Sequence, residues 1–354
     1  MTPESLGFLK RLLDTPGPSS LEAAPARVWR AEAQGFADAV EADVAGNSFA
    51  RLDGQGPRVM LAGHIDEIGV MVTHVDDEGY LSFDTIGGWD SQVFVGQRVV
   101  LLGRNGQVSG VVGKKAIHLM EREEREKVSR VEDLWIDIGA ANRAEAEARI
   151  RIGDPGVLAA EVMEFPNERL VSRCIDNRIG AFVVLEALRI LSQDRPAAAV
   201  TAVATTREEI AATGGGARSS ASRLEPDVAI VVDVTHATDY PGLDKRKHGD
   251  YRLDGGPAIS RGASVSEIVF ELLVSAAEAE QIPYRIEAAS RDTHTDAEAI
   301  FNAHRGVATG LVSVPNRYMH SPNEMVALAD LDRTARLLAG FVRRLGPHTS
   351  FVPQ

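Results

Sequence analysis

Acidic and imidazole side chains follow several strand-like runs of this sequence, at the point where each run ends. Glu208 and Glu209 come shortly after the apolar run 198–204, and His64 and Asp233 follow two other apolar runs. Ligands of open α/β sheets bind at the carboxyl ends of the strands. If these strands are neighbours in one sheet, we expect the four side chains to converge on one rim.

Two further residues extend this set. Asp176 lies where a helix is predicted to begin, and His320 follows the run 306–314 after a short loop. Two imidazoles and several carboxylates form a donor set that suits zinc, cobalt or manganese better than calcium or copper. Such metals activate water and polarise carbonyl groups.

Each of these residues also has a simpler explanation. Adjacent glutamates are common on solvated surfaces, and an aspartate such as Asp176 often caps a helix. Asp233 is equally compatible with a turn, and His320 with an ordinary loop position. The joint occurrence of all of them at predicted strand and helix ends favours a metal site.

The elements that must position these residues alternate between helix and strand. Helices are predicted over 4–13, 21–36, 177–191, 217–223, 265–280 and 331–345. Strands are predicted over 58–62, 198–204, 228–232, 284–287 and 306–314, after a hairpin around Asn47. Alternating elements of this kind predict an α/β fold whose sheet is covered by helices on both faces.

The pattern of predicted elements changes between residues 69 and 164. Short β-like runs recur there at 70–75, 80–83, 97–102, 108–112, 134–138 and 157–162. Turn residues separate them, and the segment 140–148 is the one helical exception. This spacing is typical of a small β barrel or sandwich. We therefore expect a catalytic domain formed by 1–68 and 165–354, with a β domain inserted at 69–164.

Composition excludes several classes of protein. The 354-residue chain carries a net charge of −13, which argues against binding to nucleic acid. No apolar stretch approaches about 18 residues, so no membrane span is expected. The N-terminus lacks the pattern of a signal peptide, and the single cysteine, Cys174, leaves no disulfide framework. We expect a soluble cytoplasmic protein.

Five ordered blocks resemble the signatures of tetrahedral aminopeptidases. These blocks are Gly63-His-Ile-Asp-Glu-Ile-Gly69, Cys174-Ile-Asp-Asn-Arg-Ile-Gly180, Thr206-Arg-Glu-Glu209, Val232-Asp-Val-Thr235 and Asn316-Arg-Tyr-Met-His-Ser-Pro-Asn-Glu324. The family consists of di-zinc metallopeptidases, also called glutamyl or deblocking aminopeptidases and historically endoglucanases. The likeness spans nearly the whole chain. It implies a zinc-peptidase-like three-layer α/β domain with a mixed central sheet and an inserted β-barrel dimerisation domain.

The resemblance also implies a role for each candidate ligand. His64 binds one metal ion and His320 the other, and the Asp176 carboxylate bridges the two. Glu209 and Asp233 each complete the ligand set of one ion. Two divalent ions per subunit are therefore expected, with zinc favoured and cobalt or manganese as alternatives.

The same resemblance implies metal-assisted hydrolysis of peptides with a free N-terminus. Glu208 corresponds to the general base, which takes a proton from the attacking water and passes it to the leaving amine. Asp66 is similar to the acid that orients the imidazole of His64. The family counterpart of the β domain joins subunits, so we expect a homo-oligomer built from dimers, commonly a tetrahedral dodecamer.

The sequence departs from the family pattern after Glu209. The family usually has a Val-Gly-x-Arg-Gly-Ala stretch there, whereas residues 210–217 lack the arginine and are about two residues longer. Three glycines in this stretch predict a flexible loop beside the base. The remaining histidines that we expect to be ordinary are His74, His236, His248, His294 and His304.

Two other functions compete with the peptidase. A glycosidase would use Glu208 or Glu209 with a second acid about 5–10 Å away and would need no metal. That scheme gives the histidines no role, and the chain has three tryptophans to offer as sugar platforms. A non-catalytic assembly protein of the same fold would lack a ligand or the base, and no such residue is missing.

Overall fold

Helices and strands alternate along most of the chain, as the sequence predicts. The computed structural model describes residues 1–211 and 214–353. Its helices are α1 (Pro3–Asp14), α2 (Ala23–Ala33), α3 (Arg122–Arg125), α4 (Arg143–Glu147), α5 (Ile175–Gln193), α6 (Gly215–Leu224), α7 (Lys245–His248), α8 (Glu267–Ala279), α9 (Asp296–Phe301) and α10 (Leu328–Arg343). Its strands are β1 (Ala39–Ala42), β2 (Ser48–Leu52), β3 (Arg58–His64), β4 (Gly69–Val75), β5 (Leu81–Ile86), β6 (Arg98–Gly103), β7 (Gly106–Gly113), β8 (Trp135–Asp137), β9 (Pro155–Leu158), β10 (Met163–Phe165), β11 (Arg169–Ser172), β12 (Ala199–Thr205), β13 (Val228–His236), β14 (Ala258–Gly262), β15 (Arg285–Ala289), β16 (Ala308–Asn316) and β17 (Glu324–Ala327).

A mixed eight-stranded sheet forms the centre of the molecule. Its strand order is β1-β2-β12-β3-β13-β16-β14-β15. The four central strands β12, β3, β13 and β16 are parallel, whereas β2 and β14 run antiparallel to their central neighbours. Parallel neighbours end at the same edge of a sheet, so the segments after these strands share one rim. This confirms the expected adjacency.

Side chains on the central strands alternate between two hydrophobic cores. Leu61 belongs to the larger core, which includes residues of α1, α2, α5, α8 and α10, whereas Met60 and Val231 belong to the core with α6 and α9. This is the period of two expected of a strand with both faces covered. His64 and Asp233 follow the period of Met60 and Val231, so both lie on the α6 and α9 face. The three-layer prediction is thus confirmed.

Gly63 determines how closely helix α5 approaches the end of β3. A Cβ atom at this position would lie 2.4 Å from the carbonyl carbon of Gly180 in α5. That separation is far below van der Waals contact, so any side chain would push the helix away from the strand. The glycine lets the start of α5 lie against the strand end, and this brings Asp176 next to His64.

A closed antiparallel barrel is formed by the strands between Gly69 and Leu158. The strand order is β4-β5-β8-β7-β6-β9, and each strand corresponds to one of the predicted runs. The barrel has its own hydrophobic core, which includes Phe83, Phe94 and Ile136. The expectation of an inserted β barrel is therefore confirmed.

The structure extends two of the predicted strands into the functional rim. β3 includes His64 as its last residue, and β13 continues to His236, so Asp233 lies inside the strand rather than after it. The apolar pattern stops early because the inward-facing side chains near the rim are polar. A small sheet, β10-β11-β17, was not predicted. Within residues 1–211 and 214–353, no helix has the length and hydropathy required to cross a membrane.

Candidate metal centre

Asp176 lies between the two histidines that the sequence singled out. Its Oδ1 atom is 3.2 Å from Nε2 of His64, and its Oδ2 atom is 3.3 Å from Nε2 of His320. The carboxylate is largely buried, at the point where α5 begins with non-helical φ and ψ angles. One carboxylate oxygen thus faces each imidazole.

The other predicted ligands lie around this bridge. Glu209 Oε2 is 3.5 Å from Nε2 of His320, and Glu209 also groups with His64 and Asp176. Asp233 groups with His64 and Glu208, and the potential ligand atoms of each group lie within 4.8 Å of one another. The structure therefore brings together all five residues that the sequence analysis assigned to metal.

Asp66 contacts both the histidine and the glutamate pair. Its Oδ1 atom is 3.5 Å from Nδ1 of His64. Its two carboxylate oxygens also accept hydrogen bonds from the backbone N–H groups of Glu208 and Glu209, each at 3.2 Å. The first contact is expected from the sequence, whereas the second is not. Asp66 is fully buried. Through these contacts it links the end of β3 to the turn that carries both glutamates.

Glu324 holds the backbones of two candidate ligands. Its Oε1 atom accepts a hydrogen bond of 2.7 Å from the His320 N–H, and its Oε2 atom accepts one of 2.9 Å from the Asp176 N–H. Glu324 ends one of the motif blocks, yet the sequence analysis gave it no role. Its spacing of four residues after His320 was the available signal.

Two more buried acids support the turn that carries Glu208. Glu22 accepts a hydrogen bond of 3.1 Å from the N–H of Arg207, whose φ of 61° is in the left-handed region. Asp296 accepts one of 2.6 Å from the hydroxyl of Thr205. Such contacts hold a backbone conformation that is unfavourable for a residue with a side chain. Sequence reasoning missed both contacts, because each joins segments far apart in the chain.

The electrostatics of the centre are dominated by buried carboxylates. Burial, opposed by His64 and reinforced by Asp176, raises the pKa of Asp233 to about 8. Burial also raises the pKa of Glu208 and of Glu209 well above the ordinary value. These shifts follow from desolvation and from like charges placed close together.

This donor set fits a pair of divalent cations. The buried Oε1 atom of Glu209 has no hydrogen-bond partner among the residues that the structure describes. Burial opposes protonation of His64, yet the carboxylates of Glu208, Asp176 and Asp66 outweigh it and raise the pKa of this imidazole. The site thus attracts positive charge, and its nitrogen and oxygen donors are those of zinc-type ions.

A cavity of 1080 Å³ opens from this centre. Besides the candidate ligands and Glu208, it is lined by residues from the ends of β13, β14 and β15 and from α6 and α9. His236 and His294, which we expected to be ordinary, are among its lining residues. The predicted flexible loop at 210–217 includes residues 212–213, which lie outside the described part of the chain.

Comparisons with known proteins agree with this geometry. The chain is 33% identical over 344 residues to lysyl aminopeptidase of Pyrococcus furiosus, covering 96% of this chain and 97% of the relative. A TET aminopeptidase structure from the Thaumarchaeota archaeon SCGC AB-539-E09 superposes with a TM-score of 0.92 at 32% identity, covering 97% and 96% of the two chains. The Pyrococcus horikoshii TET1 peptidase, which can assemble into a tetrahedron or a large octahedral shell, gives 0.85 at 29% identity, with coverage of 96% and 100%.

A family model covers most of the chain as well. The model described as M42 glutamyl aminopeptidase matches residues 46–337, a range that contains all the candidate ligands and the whole barrel. The motif blocks, the fold and the relatives therefore lead to one conclusion. The chain belongs to the M42 glutamyl aminopeptidase family and is a metallo-aminopeptidase.

Proposed function

We propose that this aminopeptidase removes N-terminal residues from peptides with the help of two divalent metal ions. His64, Asp176 and Asp233 would hold one ion, and His320, Asp176 and Glu209 would hold the other. The observation that carries the proposal is the position of Asp176, whose two oxygens each lie beside a different imidazole. A carboxylate placed between two imidazoles suits a pair of adjacent cations.

Zinc is the ion that we favour, with cobalt or manganese as alternatives, because the donors are imidazole nitrogens and carboxylate oxygens. When bound, such ions act as Lewis acids toward the scissile carbonyl and lower the pKa of water. Elemental analysis of the purified protein should give two ions per chain. EDTA should abolish activity, and added zinc, cobalt or manganese should restore it.

Glu208 would act as the general base. Its carboxylate lines the cavity, and its Oε2 atom is 3.7 Å from Nε2 of His64. A carboxylate at this position would take a proton from the attacking water and pass it to the leaving amine. Asp66 holds the backbone of Glu208 by accepting a hydrogen bond from its N–H group.

Two neighbouring substitutions test this division of roles. Glu208→Gln should keep both ions and lower kcat by about 100- to 10,000-fold, the usual contribution of a general base. Glu209→Gln, the matched control at the next residue, should instead lose one ion. Activity assays with p-nitroanilide substrates and metal analysis distinguish the two. Wild-type turnover in Glu208→Gln would exclude it as the base.

The names of the family and of the relatives do not agree on the preferred N-terminal residue of the substrate. The family description says glutamyl, whereas a relative that aligns along nearly the whole chain is called lysyl. The cavity of 1080 Å³ is large enough for the first residues of a peptide, which supports small peptide substrates. The single buried cysteine, Cys174, is compatible with the cytoplasmic setting that we propose.

We further propose that residues 69–164 form an inserted domain through which subunits associate. Large apolar side chains are exposed on this segment, among them Val111 (46%), Ile117 (58%) and Leu119 (72%). An apolar surface of this kind is typical of a subunit interface. The relative that assembles into a tetrahedron or an octahedral shell supports a homo-oligomer built from dimers. Light scattering of the wild type and of Leu119→Asp would test this, with dissociation expected for the variant.

A further inference from the structure

The cavity extends beyond the metal centre to the far strands of the sheet, and an acidic side chain lies there. We propose that Glu287 selects substrates whose N-terminal residue has a basic side chain, lysine or arginine. This inference rests on the proposed aminopeptidase function and adds the substrate class that the cavity accepts. Three observations support the proposal. They are the position of the Glu287 carboxylate, the lack of an ion pair with it among the described residues, and the spacing of its partner Thr235 from Asp233.

Glu287 lies on β15 and its carboxylate is held by two hydroxyl groups. Its Oε1 atom accepts a hydrogen bond of 2.7 Å from the hydroxyl of Thr235 on β13. Its Oε2 atom accepts one of 3.3 Å from the hydroxyl of Ser260, its partner on β14. Because β14 and β16 separate β15 from β13 in the sheet, the Glu287 side chain extends across the floor of the cavity.

No protein cation neutralises this carboxylate. Across residues 1–211 and 214–353, the side-chain partners of Glu287 are the hydroxyl groups of Thr235 and Ser260, and no ion pair within 4.0 Å includes Glu287. Arg218 also lines the cavity but does not pair with Glu287. By contrast Asp239, another partly buried acid, is paired with Arg317 at 2.7 Å. Two neutral hydroxyl donors fix the position of the Glu287 charge without cancelling it. A cationic ligand would complete the pair.

Another acid in the cavity is already committed to the local fold. Glu298 accepts hydrogen bonds from the N–H and hydroxyl of Thr293 and from the N–H of Thr295, as part of the N-terminal cap of α9. Glu287 caps no helix and joins only the walls of the cavity. Glu298 therefore stabilises the local fold, whereas the charge of Glu287 is available to a ligand.

The distance from the metal centre matches a basic side chain. Thr235, which contacts Glu287, lies two residues beyond Asp233 on the same face of β13, about 7 Å along the strand. The four-carbon stem of lysine spans about 6 Å from Cα to its nitrogen. A substrate whose scissile carbonyl lies at the proposed metal centre can therefore direct its side-chain ammonium toward Thr235 and the Glu287 carboxylate that Thr235 contacts.

The test uses the metal-loaded enzyme and four substrates, the p-nitroanilides of lysine, arginine, leucine and glutamate. Glu287→Gln keeps the shape of the side chain and can still accept a hydroxyl hydrogen bond. We expect kcat/KM to fall about 10- to 100-fold for lysine and arginine, mainly through KM, as for a lost contact between charged groups. The value for leucine should change less than about twofold, within ordinary surface-mutation effects.

Two further variants sharpen the result. Glu287→Lys should reverse the preference, so that the glutamate substrate gains and the lysine substrate is lost. Glu271→Gln removes the same charge from an exposed position on α8 outside the cavity and should leave all four values unchanged. Thermal unfolding of each variant confirms that the protein is folded when assayed.

Several outcomes would overturn the proposal. An equal loss on all four substrates would mean that Glu287 binds the α-amino group or acts through the fold. Unchanged preference in Glu287→Gln and Glu287→Lys would exclude a role in selection, as would a wild-type enzyme that ignores basic substrates but cleaves leucine. If the wild type with added metals cleaves none of the four, the proposed di-metal aminopeptidase itself fails.

Discussion

The two halves of the proposed metal centre are built in different ways. The strand half consists of His64 and Asp233, which lie on the parallel central strands β3 and β13. The loop half consists of Glu209 and His320, which lie on segments that follow β12 and β16. The side chain of His64 is 1% exposed and that of His320 is 34% exposed.

Different interactions position each half. Hydrogen bonds between strands fix the backbone of the strand half. β3 and β13 pair with each other, β3 also pairs with β12, and β13 also pairs with β16. The loop half depends on single carboxylates: Asp66 accepts the Glu209 N–H, and Glu324 accepts the His320 N–H. His320 also has a positive φ of 59°. The strand half therefore belongs to the rigid sheet, whereas the loop half can be weakened without unfolding the protein.

The largest effect is expected at the residue that both halves share. Asp176→Asn replaces one of two ligand oxygens by an amide nitrogen, which cannot bind a cation. We expect loss of at least one ion and a fall in kcat of at least about 1000-fold. Elemental analysis and kinetics check this. Asp194→Asn, an exposed acid just after the other end of α5, is the control. Two bound ions in Asp176→Asn would exclude the bridge.

The histidines provide the next test, because their exposure differs. His64→Gly and His320→Gly should each lower activity by at least about 100-fold, since each removes a proposed metal ligand. Added imidazole should restore activity to His320→Gly only, because the His320 side chain is 34% exposed and that of His64 is 1% exposed. His248→Gly, on the exposed helix α7, should show neither effect. Equal rescue at both positions would contradict the difference between the halves.

In the metal-free protein, the free energy of unfolding should depend on pH, because the strand half contains the buried carboxyl group of Asp233. Burial raises the pKa of Asp233 from 3.8 to about 8. Between these values the folded metal-free protein holds a proton that the unfolded chain has lost. Its free energy of unfolding therefore decreases as the pH rises from 4 to 8, by on the order of a few kcal/mol.

Urea unfolding in EDTA at pH 5 to 8 measures this effect. Asp233→Asn should reduce the decrease, because the amide does not ionise. Asp38→Asn is the control with the opposite sign: a hydrogen bond from Arg195 lowers the pKa of Asp38 to about 2, and its stabilisation is lost only as the solution becomes acidic. Identical pH slopes in the wild type and in Asp233→Asn would show that this carboxyl group does not titrate as described.

Much of this fold was predictable from the sequence. The alternation of apolar runs predicted the central strands, and evenly spaced short runs predicted the barrel. Membership in the aminopeptidase family confirms the peptidase over the glycosidase and assembly alternatives. The small sheet containing β10 was missed because Met163 and Phe165 are exposed there, and all three residues of that strand lack the expected inward face.

The supporting residues of the site were not predictable in the same way. A ligand is recognisable by its chemistry and by its place after a strand, as with His64. Glu324, Asp296 and Glu22 act through backbone or hydroxyl groups that come near only when the chain is folded. Asp66 was expected to contact the His64 imidazole, and its bonds to the glutamate N–H groups depend on how two rim segments meet. Apart from the spacing of Glu324 and His320, local sequence pattern carries no information about contacts between segments that are distant in the chain.

A substitution of Glu324 should have the smallest effect on the loop half, because its carboxylate contacts backbone N–H groups and not the predicted ligand atoms. Glu324→Gln leaves one oxygen to accept a backbone N–H, but the amide NH₂ group then faces the other N–H and cannot accept it. The backbone of either Asp176 or His320 is released. Metal affinity should fall about 10- to 100-fold, as for other groups that orient ligands. Release of His320 should weaken one ion, whereas release of Asp176, which both proposed ligand sets share, should weaken both. Competition with a chelator measures both affinities.

The matched control is Asp330→Asn, because Asp330 is a buried carboxylate that also accepts two backbone N–H groups, from Asp254 at 2.6 Å and from Gly256 at 2.9 Å. It lies outside the cavity, so it should lose a similar amount of stability without any change in metal affinity. If both variants lose stability alike and both keep two tightly bound ions, Glu324 serves the fold alone. The loop half would then be as rigid as the strand half, since its ligands would keep their positions without the carboxylate that joins them.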